Sequence, residues 1–335
     1  MKTDPLAVRA ETIAFLLIPN FSLIAFSSAV EAIRIANRMS DQRLYQWSLV
    51  SKDGSPVRAS NGAVVSADMS MSECFRMGTE TRRPDMVVVC SGLGVERFRD
   101  PDTFNWLRLL ERQGSHLAAV CTGAYVLARA GLLNDYKCVI HWENLTSFRE
   151  TFPDIEVSSD LFEVDRNRST CSGGTSALDM MLYIIGRTHG QSLATKISEQ
   201  CLMDRMRNPD DKQRLPLRAR LGIHNPKLIA AIEMMESNLS EPLDQDTLAS
   251  YIGLSRRQLE RLFRKHLSRA PAHYYLELRL ERARHLLYQS EMPIVDIALA
   301  CGFVSASHFS KCYRELYGRS PREERSRALQ GMGST

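Results

Sequence analysis

Hydrophobic positions follow two regimes along the chain. In the first, short unbroken apolar runs alternate with segments of helical period. Ile13-Ala-Phe-Leu-Leu-Ile-Pro19 is such a run, as expected of a strand buried on both faces of a sheet. A helical pattern over 25–38 follows it, then strand-like runs at 46–51 and 86–90. An amphipathic helix over 103–113 comes next, with Phe104, Leu107 and Leu110 on one side. Strands alternating with helices predict an open α/β sheet. The pattern continues through a strand ending at Cys121, a short strand over 138–140, a tight turn over 170–176 leading into a helix over 177–188, and a helix of mixed polarity over 192–206.

From Asn225 onward every pattern is helical. Leu228, Ile229, Ile232 and Met235 share one face of a helix over 226–237, and 243–253 is a second, closed by Gly253. Ser255 is placed to cap the next, in which Leu259, Leu262 and Phe263 face inward. A long helix, about 273–289, leads to 294–301 and then 305–317, with Phe309, Cys312, Tyr313 and Leu316 inward. The last two short helices repeat the earlier pair. At an offset of fifty, Ser255 matches Ser305, Leu259 Phe309, Phe263 Tyr313, Arg264 Arg314 and Pro271 Pro321, while Gly253 and Gly302 match at forty-nine. Residue types that coincide at one offset indicate a duplicated helix-turn-helix unit.

Composition changes this picture little until charge is divided along the chain. At 335 residues, 44% hydrophobic and 24% charged, the chain has the make-up of an ordinary globular protein of two or three domains. The net charge of +4 hides a local excess: 256–284 holds nine basic and three acidic side chains, as a nucleic-acid surface requires. On the surface of the first repeated helix stand Arg256, Arg257, Glu260, Arg261 and Arg264. On the second stand Ser307, His308, Lys311 and Arg314, a sparser set. A merely solvated helix face is the competing reading. No apolar run reaches the roughly 18 residues needed to cross a bilayer, and the N-terminus lacks the layout of a secretion signal. The eight cysteines are scattered without a C-x-x-C pair, which fits a reducing cytoplasm and gives neither a metal signature nor a cofactor motif.

Candidate chemistry lies in the first half. The stretch Ala119-Val-Cys-Thr-Gly-Ala places Cys121 and Thr122 where a strand turns into a helix. That turn faces the crevice at the carboxyl ends of the strands, where open sheets bind ligands, and N–H groups at the helix start favour an anion or a thiolate. His141 and Trp142 follow the next short strand, and Ser172-Gly-Gly-Thr-Ser176 is the tight turn. Breakers and charge in Asn208-Pro-Asp-Asp-Lys and Arg214-Leu-Pro-Leu-Arg-Ala-Arg220 predict a connector over 207–223, between a domain over 10–206 and another over 224–326.

Ala119-Val-Cys-Thr-Gly-Ala, Leu127-Ala, Gly131-Leu-Leu, His141 and Ser172-Gly-Gly-Thr-Ser-Ala resemble the class I glutamine-amidotransferase-like superfamily. The nearest branch is that of the intracellular proteases and Parkinson-associated chaperones. The resemblance implies a flavodoxin-like open sandwich in which Cys121 and His141 form a reactive pair. It also implies an acidic residue near the first helix that hydrogen-bonds the cysteine, yet alignment puts Ala25 at that position, and Glu31 lies nearly two turns on. A Cys–His pair without its third group fits a ligand-sensing pocket formed by Cys121, Thr122, His141 and Trp142 better than a catalytic site. A cysteine-dependent hydrolase or glyoxalase-like enzyme with a DNA-targeting domain is the alternative. A structural cysteine and an architectural DNA binder remain as further readings.

The paired units joined by one helix, with Gly302-Phe303 and Gly318-Arg-Ser-Pro321, resemble the arabinose-regulator (AraC/XylS) family over about 225–326. Both halves together resemble its GlxA-type subfamily. That resemblance implies a homodimeric, cytoplasmic transcription regulator, an activator rather than a repressor, with double-stranded DNA and RNA polymerase as its partners. It further implies an effector drawn from amino acids and quaternary amines such as arginine, carnitine or glycine betaine. No membrane association, metal or cofactor is expected.

Overall fold

The computed structural model describes residues 9–76 and 83–331, which form two compact units, Met1–Gln213 and Arg214–Thr335. In the first, β1 (Glu11–Leu17), α1 (Leu23–Ser40) and β2 (Tyr45–Ser51) are followed by the short strands β3 (Val57–Arg58), β4 (Val64–Val65) and β5 (Met69–Ser70), and by α2 (Met71–Arg76). Then come β6 (Met86–Ser91), α3 (Pro101–Arg112), β7 (His116–Cys121), α4 (Gly123–Arg129), β8 (Cys138–Val139), α5 (Leu145–Thr151), β9 (Val157–Ser158), β10 (Phe162–Asp165), β11 (Arg168–Cys171), α6 (Ser176–His189) and α7 (Gln191–Gln200).

Seven strands make one sheet in the order β10-β11-β7-β6-β1-β2-β5, parallel except for β10 against β11. The apolar runs are split by the pleat. Ile13, Phe15 and Leu17 join one core with α1, α6 and α7, while Ala14, Leu16 and Ile18 join another with α3, α4 and α5. Both sheet faces are therefore covered, which is why these strands are apolar at successive positions. The expected open α/β sandwich is present.

Two local expectations need correction. Thr170 and Cys171, expected in the tight turn, end β11, where they pair with both β7 and β10. The helix expected over 192–206 stops at Gln200, because Leu202 takes a left-handed conformation (φ 53°) and the chain doubles back. That reversal delivers Arg207 to Asp179 of α6, whose side chain is wholly buried, at 2.6 Å.

The stretch 207–223, expected as a connector, is ordered and divided between the units. Residues 207–213 fasten to the first. Leu161 N–H donates to Pro209 O (2.9 Å), Lys212 Nζ reaches Asp160 (2.8 Å), and Gln213 Nε2 donates to Ile140 O (3.0 Å) and Asp160 O (2.9 Å). In the second unit α8 (Leu217–Leu221) buries Leu217 in the core formed by α9 (Pro226–Ser237), α10 (Gln245–Tyr251) and α11 (Arg256–Leu267). The long α12 (Pro271–Gln289) leads to α13 (Ile294–Ala300), α14 (Ala306–Tyr317) and α15 (Pro321–Gly331), with a separate core around Ile297, Phe309 and Tyr313.

The duplication is exact in its punctuation. Gly253 and Gly302 both turn at positive φ (62° and 73°). Ser255 and Ser305 both cap, accepting from the backbone three residues on, and Gln258 completes a capping box in the first copy. α11 and α14 have twelve residues each and end in left-handed Ser268 and Gly318. A Cβ on Gly302 would lie 2.7 Å from Pro242 Cδ and 2.8 Å from Leu239 O, so no other residue fits that turn unshifted.

Candidate functional site

The sheet reverses its winding between β1 and β6, and ligand crevices of open sheets form at such points, beyond the carboxyl ends of the strands. Here the loops after β1 and β6 are tied together: Ser22 N–H donates to Ser91 O (3.3 Å) and Leu93 N–H to Asn20 O (3.1 Å). A Cβ on Gly92 would sit 2.1 Å from Asn20 O, so that approach requires glycine. Cys121 ends β7 next door, with φ 60°, a left-handed conformation that costs a non-glycine residue about 1–2 kcal/mol. Gly123 follows because a Cβ there would meet Val89 O at 2.3 Å; α4 can start against β6 only without a side chain.

Around Cys121 the structure gathers Ser22, Gly173 and His141. The Ser22 side chain and the Thr122 backbone N–H both act on the thiol in the direction that favours its ionised form. A Cβ on Gly173 would be 2.7 Å from Cys121 Cβ and 3.1 Å from its sulfur, so the 172–175 turn closes directly onto the cysteine. His141 N–H donates to Cys121 O (3.3 Å). The strand before it is set by Val139 N–H donating to Thr170 Oγ1 (2.8 Å). The His141 and Trp142 rings are 5.7 Å apart and tilted by 37°, both partly buried.

The electrostatics of the thiol are decisive. Burial, and next the neighbouring Cys171, push Cys121 up to about 12, against the opposing hydrogen bonds from Thr122 and Ser22. The thiol is thus held protonated, the reverse of the lowered pKa that makes a cysteine nucleophilic. No acid intervenes at position 25: Ala25 is fully buried, and Glu31 pairs with Arg34 at 2.6 Å. Thr122, expected among the ligand contacts, directly follows the elbow cysteine. It is 3% exposed and its hydroxyl proton is committed to Gly92 O at 2.7 Å. Ser22 and Gly173 complete the site. The Ser-Gly-Gly-Thr turn signalled the second, but nothing in the local sequence signalled the first.

In the second unit the polar face of α11 is as expected. Arg256, Arg257, Arg261 and Arg264 are exposed and Glu260 is partly so, while Leu259 and Phe263 are buried. Arg256 is flanked by Asp246 (3.8 Å) and Glu260 (3.7 Å). On α14, Ser307, His308, Lys311 and Arg314 are exposed. His308 Nε2 lies 3.3 Å from Cys312 Sγ, and its ring sits edge-on to Phe303 at 5.8 Å, which fixes its direction. Leu316, expected inward, is 38% exposed. Tyr317 takes its place, its ring 4.6 Å from that of Tyr313 and tilted by 50°. Among the described residues no group of three or more His, Cys, Asp or Glu is placed to hold a metal, and no helix is long and apolar enough to cross a membrane.

A sandwich with a strained elbow cysteine, followed by two capped helix-turn-helix units, defines a regulator that couples a ligand-type domain to a DNA-binding one. The DJ-1/PfpI family model matches residues 11–187 and a helix-turn-helix domain model matches 248–327. The chain is 49% identical over 315 residues to the HTH-type transcriptional regulator GbdR of Pseudomonas aeruginosa, covering 94% of this chain and 84% of that protein. It is 35% identical to the HTH-type transcriptional regulator GlxA of Rhizobium meliloti, over 95% and 96% of the two. A solved AraC family transcriptional regulator from Pseudomonas putida aligns over 57% of this chain and 99% of its own, with 28% identity and a TM-score of 0.51. The chain belongs to the AraC/XylS-family transcription regulators of the GlxA type, which carry a DJ-1/PfpI-like domain ahead of the helix-turn-helix pair. Its relatives over nearly the whole chain are HTH-type transcriptional regulators, and it is a transcription regulator of that family.

Proposed function

We propose that the chain is a transcription activator whose first unit binds a small amino acid or quaternary amine of the arginine, carnitine or glycine betaine kind at Cys121, His141 and Trp142. The observation that carries this is an elbow cysteine in the left-handed conformation at a ligand-type crevice, with the buried Ala25 where a carboxylate would be needed to tune it. Burial, which pushes the thiol up, acts in the same direction, and such a site is suited to binding without turnover. The Trp142 face suits a quaternary ammonium through cation–π attraction, with the His141 ring beside it. Thr122 and Ser22 hold the floor.

On the DNA side, α11 and α14 each enter a major groove, about one helical turn apart. Arg257 and Arg261 contact bases, since arginine pairs bidentately with guanine. Arg256, Arg264, Lys311 and Arg314 serve bases or phosphates, Glu260 holds Arg256 in place, and Ser307 and His308 contact bases from the second unit. The active form is a cytoplasmic homodimer that engages double-stranded DNA and RNA polymerase. Calorimetric titration with glycine betaine, carnitine and arginine tests the ligand reading. Saturable binding of one class, weakened by Trp142→Leu and retained without any product by Cys121→Ala, is expected. Turnover that disappears in Cys121→Ala would favour the enzyme instead.

A further inference from the structure

Beside α11, in the first helix-turn-helix, lies a cavity of about 430 Å³ lined by Asn225, Lys227, Leu254, Gln258, Arg261, Leu262, Lys265 and His266. Its polar wall holds three permanent cations and a histidine, and no carboxylate. Arg256, on the same helix, lies outside the cavity and is flanked by Asp246 (3.8 Å) and Glu260 (3.7 Å). Among the described residues no ion pair engages Lys227, Arg261 or Lys265; Lys227 Nζ donates to Gly253 O at 3.0 Å. All three are exposed.

The cations do not all owe their place to helix stability. Lys265 and His266 lie in the last turn of α11, where positive charge is favourable. Lys227, however, stands in the first turn of α9, a twelve-residue helix with no acidic residue there, where a cation is disfavoured. Three cations meeting the positive end of a helix in a concave site make a potential that an anion relieves.

We infer that this cavity binds a phosphate group. The inference rests on the DNA-binding reading for its preferred source, a backbone phosphate bordering the groove that α11 enters. Successive i,i+4 steps turn a helix by about 40°, so Arg261 lies midway between Arg257 and Lys265. It joins the base-facing surface to the cavity. Held at both, the helix is fixed in register on the duplex while Arg257 reads sequence.

The test uses the full chain and a random-sequence duplex at 50 and 200 mM salt, because non-specific binding is electrostatic and needs no operator. Lys265→Gln should weaken binding at 50 mM and shrink the loss between the two salts by about 3.5-fold, the effect of one phosphate contact. Lys265→Arg should restore both, which separates charge from folding. A second arm measures stabilisation of wild type and Lys265→Gln by inorganic phosphate against chloride at equal ionic strength. Stabilisation of wild type alone, with an unchanged salt slope, assigns the cavity to a free phosphate and supports the site without the duplex. If the substitution alters neither the slope nor the phosphate effect, the inference is overturned. A wild type that binds no duplex defeats the DNA reading and leaves the phosphate arm to judge the cavity.

Discussion

Cys121 carries the two properties that decide what the first unit can do, a left-handed backbone and a thiol that stays protonated. Burial pushes it up to about 12, so the thiol stays protonated at pH 8. Iodoacetamide should leave the Cys121 peptide unlabelled at pH 8 under conditions that modify a free cysteine; labelling with a midpoint below pH 9 would restore the nucleophile. A second residue makes stability depend on pH. His116 lies against Ser169 (2.8 Å), and burial, then Arg168, lower it to about 4. Between its unfolded value near 6.5 and about 4, the unfolded chain binds a proton that the folded one does not. Stability therefore rises with pH across that window and is lost as pH falls through it. All three tryptophans lie in the first unit, so their fluorescence isolates its unfolding. The urea midpoint should fall between pH 7 and pH 5, and less steeply in His116→Gln; equal slopes would acquit His116. Arg257→Ala should cost on the order of 1–3 kcal/mol of DNA binding and relax specificity at one base. A selection from random duplexes that recovers an unchanged site would contradict this. At this scale the sequence exposed Cys121, His141 and the α11 arginines, because each sits at a motif of fixed spacing. Ser22 escaped it: the residue meets the thiol through a loop about a hundred positions away, and no local pattern encodes that approach.

Elements that run on local rules were readable in advance. β1 and β6 announce burial on both faces by unbroken apolar runs, and the helix-turn-helix pair announces itself by capping serines and turn glycines at one offset. The segment 201–213 was read less well, because its course is set by tertiary partners. A left-handed Leu202, the Asp179 carboxylate awaiting Arg207, and the Ile140 carbonyl awaiting Gln213 fix it. Gln213 holds the residue before His141, and Arg207 reaches both Asp179 and Thr175 Oγ1 (2.7 Å) in the turn that closes on Cys121. The segment that continues covalently into the DNA-binding unit is thus fastened beside both Cys121 and His141, the proposed ligand site. Gln213→Ala should leave ligand affinity nearly intact while pulling the ligand-dependent change in DNA affinity toward unity. A variant that keeps the full change would show that the signal bypasses this segment. Arg207→Ala should be more damaging to stability than Gln213→Ala, since it strands a buried carboxylate.

For the whole molecule, the order of sheet and tandem helical units follows from one change of hydrophobic regime, and the function follows from their combination. An elbow cysteine alone would suggest catalysis, and a helix-turn-helix pair alone would suggest constitutive DNA binding. Together, with the thiol silenced, they describe a switch in which ligand must favour the DNA-binding state over its alternative. A coupling of about 1–3 kcal/mol is typical, corresponding to a change in affinity of roughly 5- to 150-fold. The most direct test is the affinity of the full chain for a duplex selected by it, measured with and without saturating effector from the betaine, carnitine and amino-acid panel. The account predicts a change of at least about fivefold for one ligand class, retained in Cys121→Ala and abolished in Trp142→Leu. An affinity that no member of the panel alters, in a protein that binds the same duplex tightly, would contradict it.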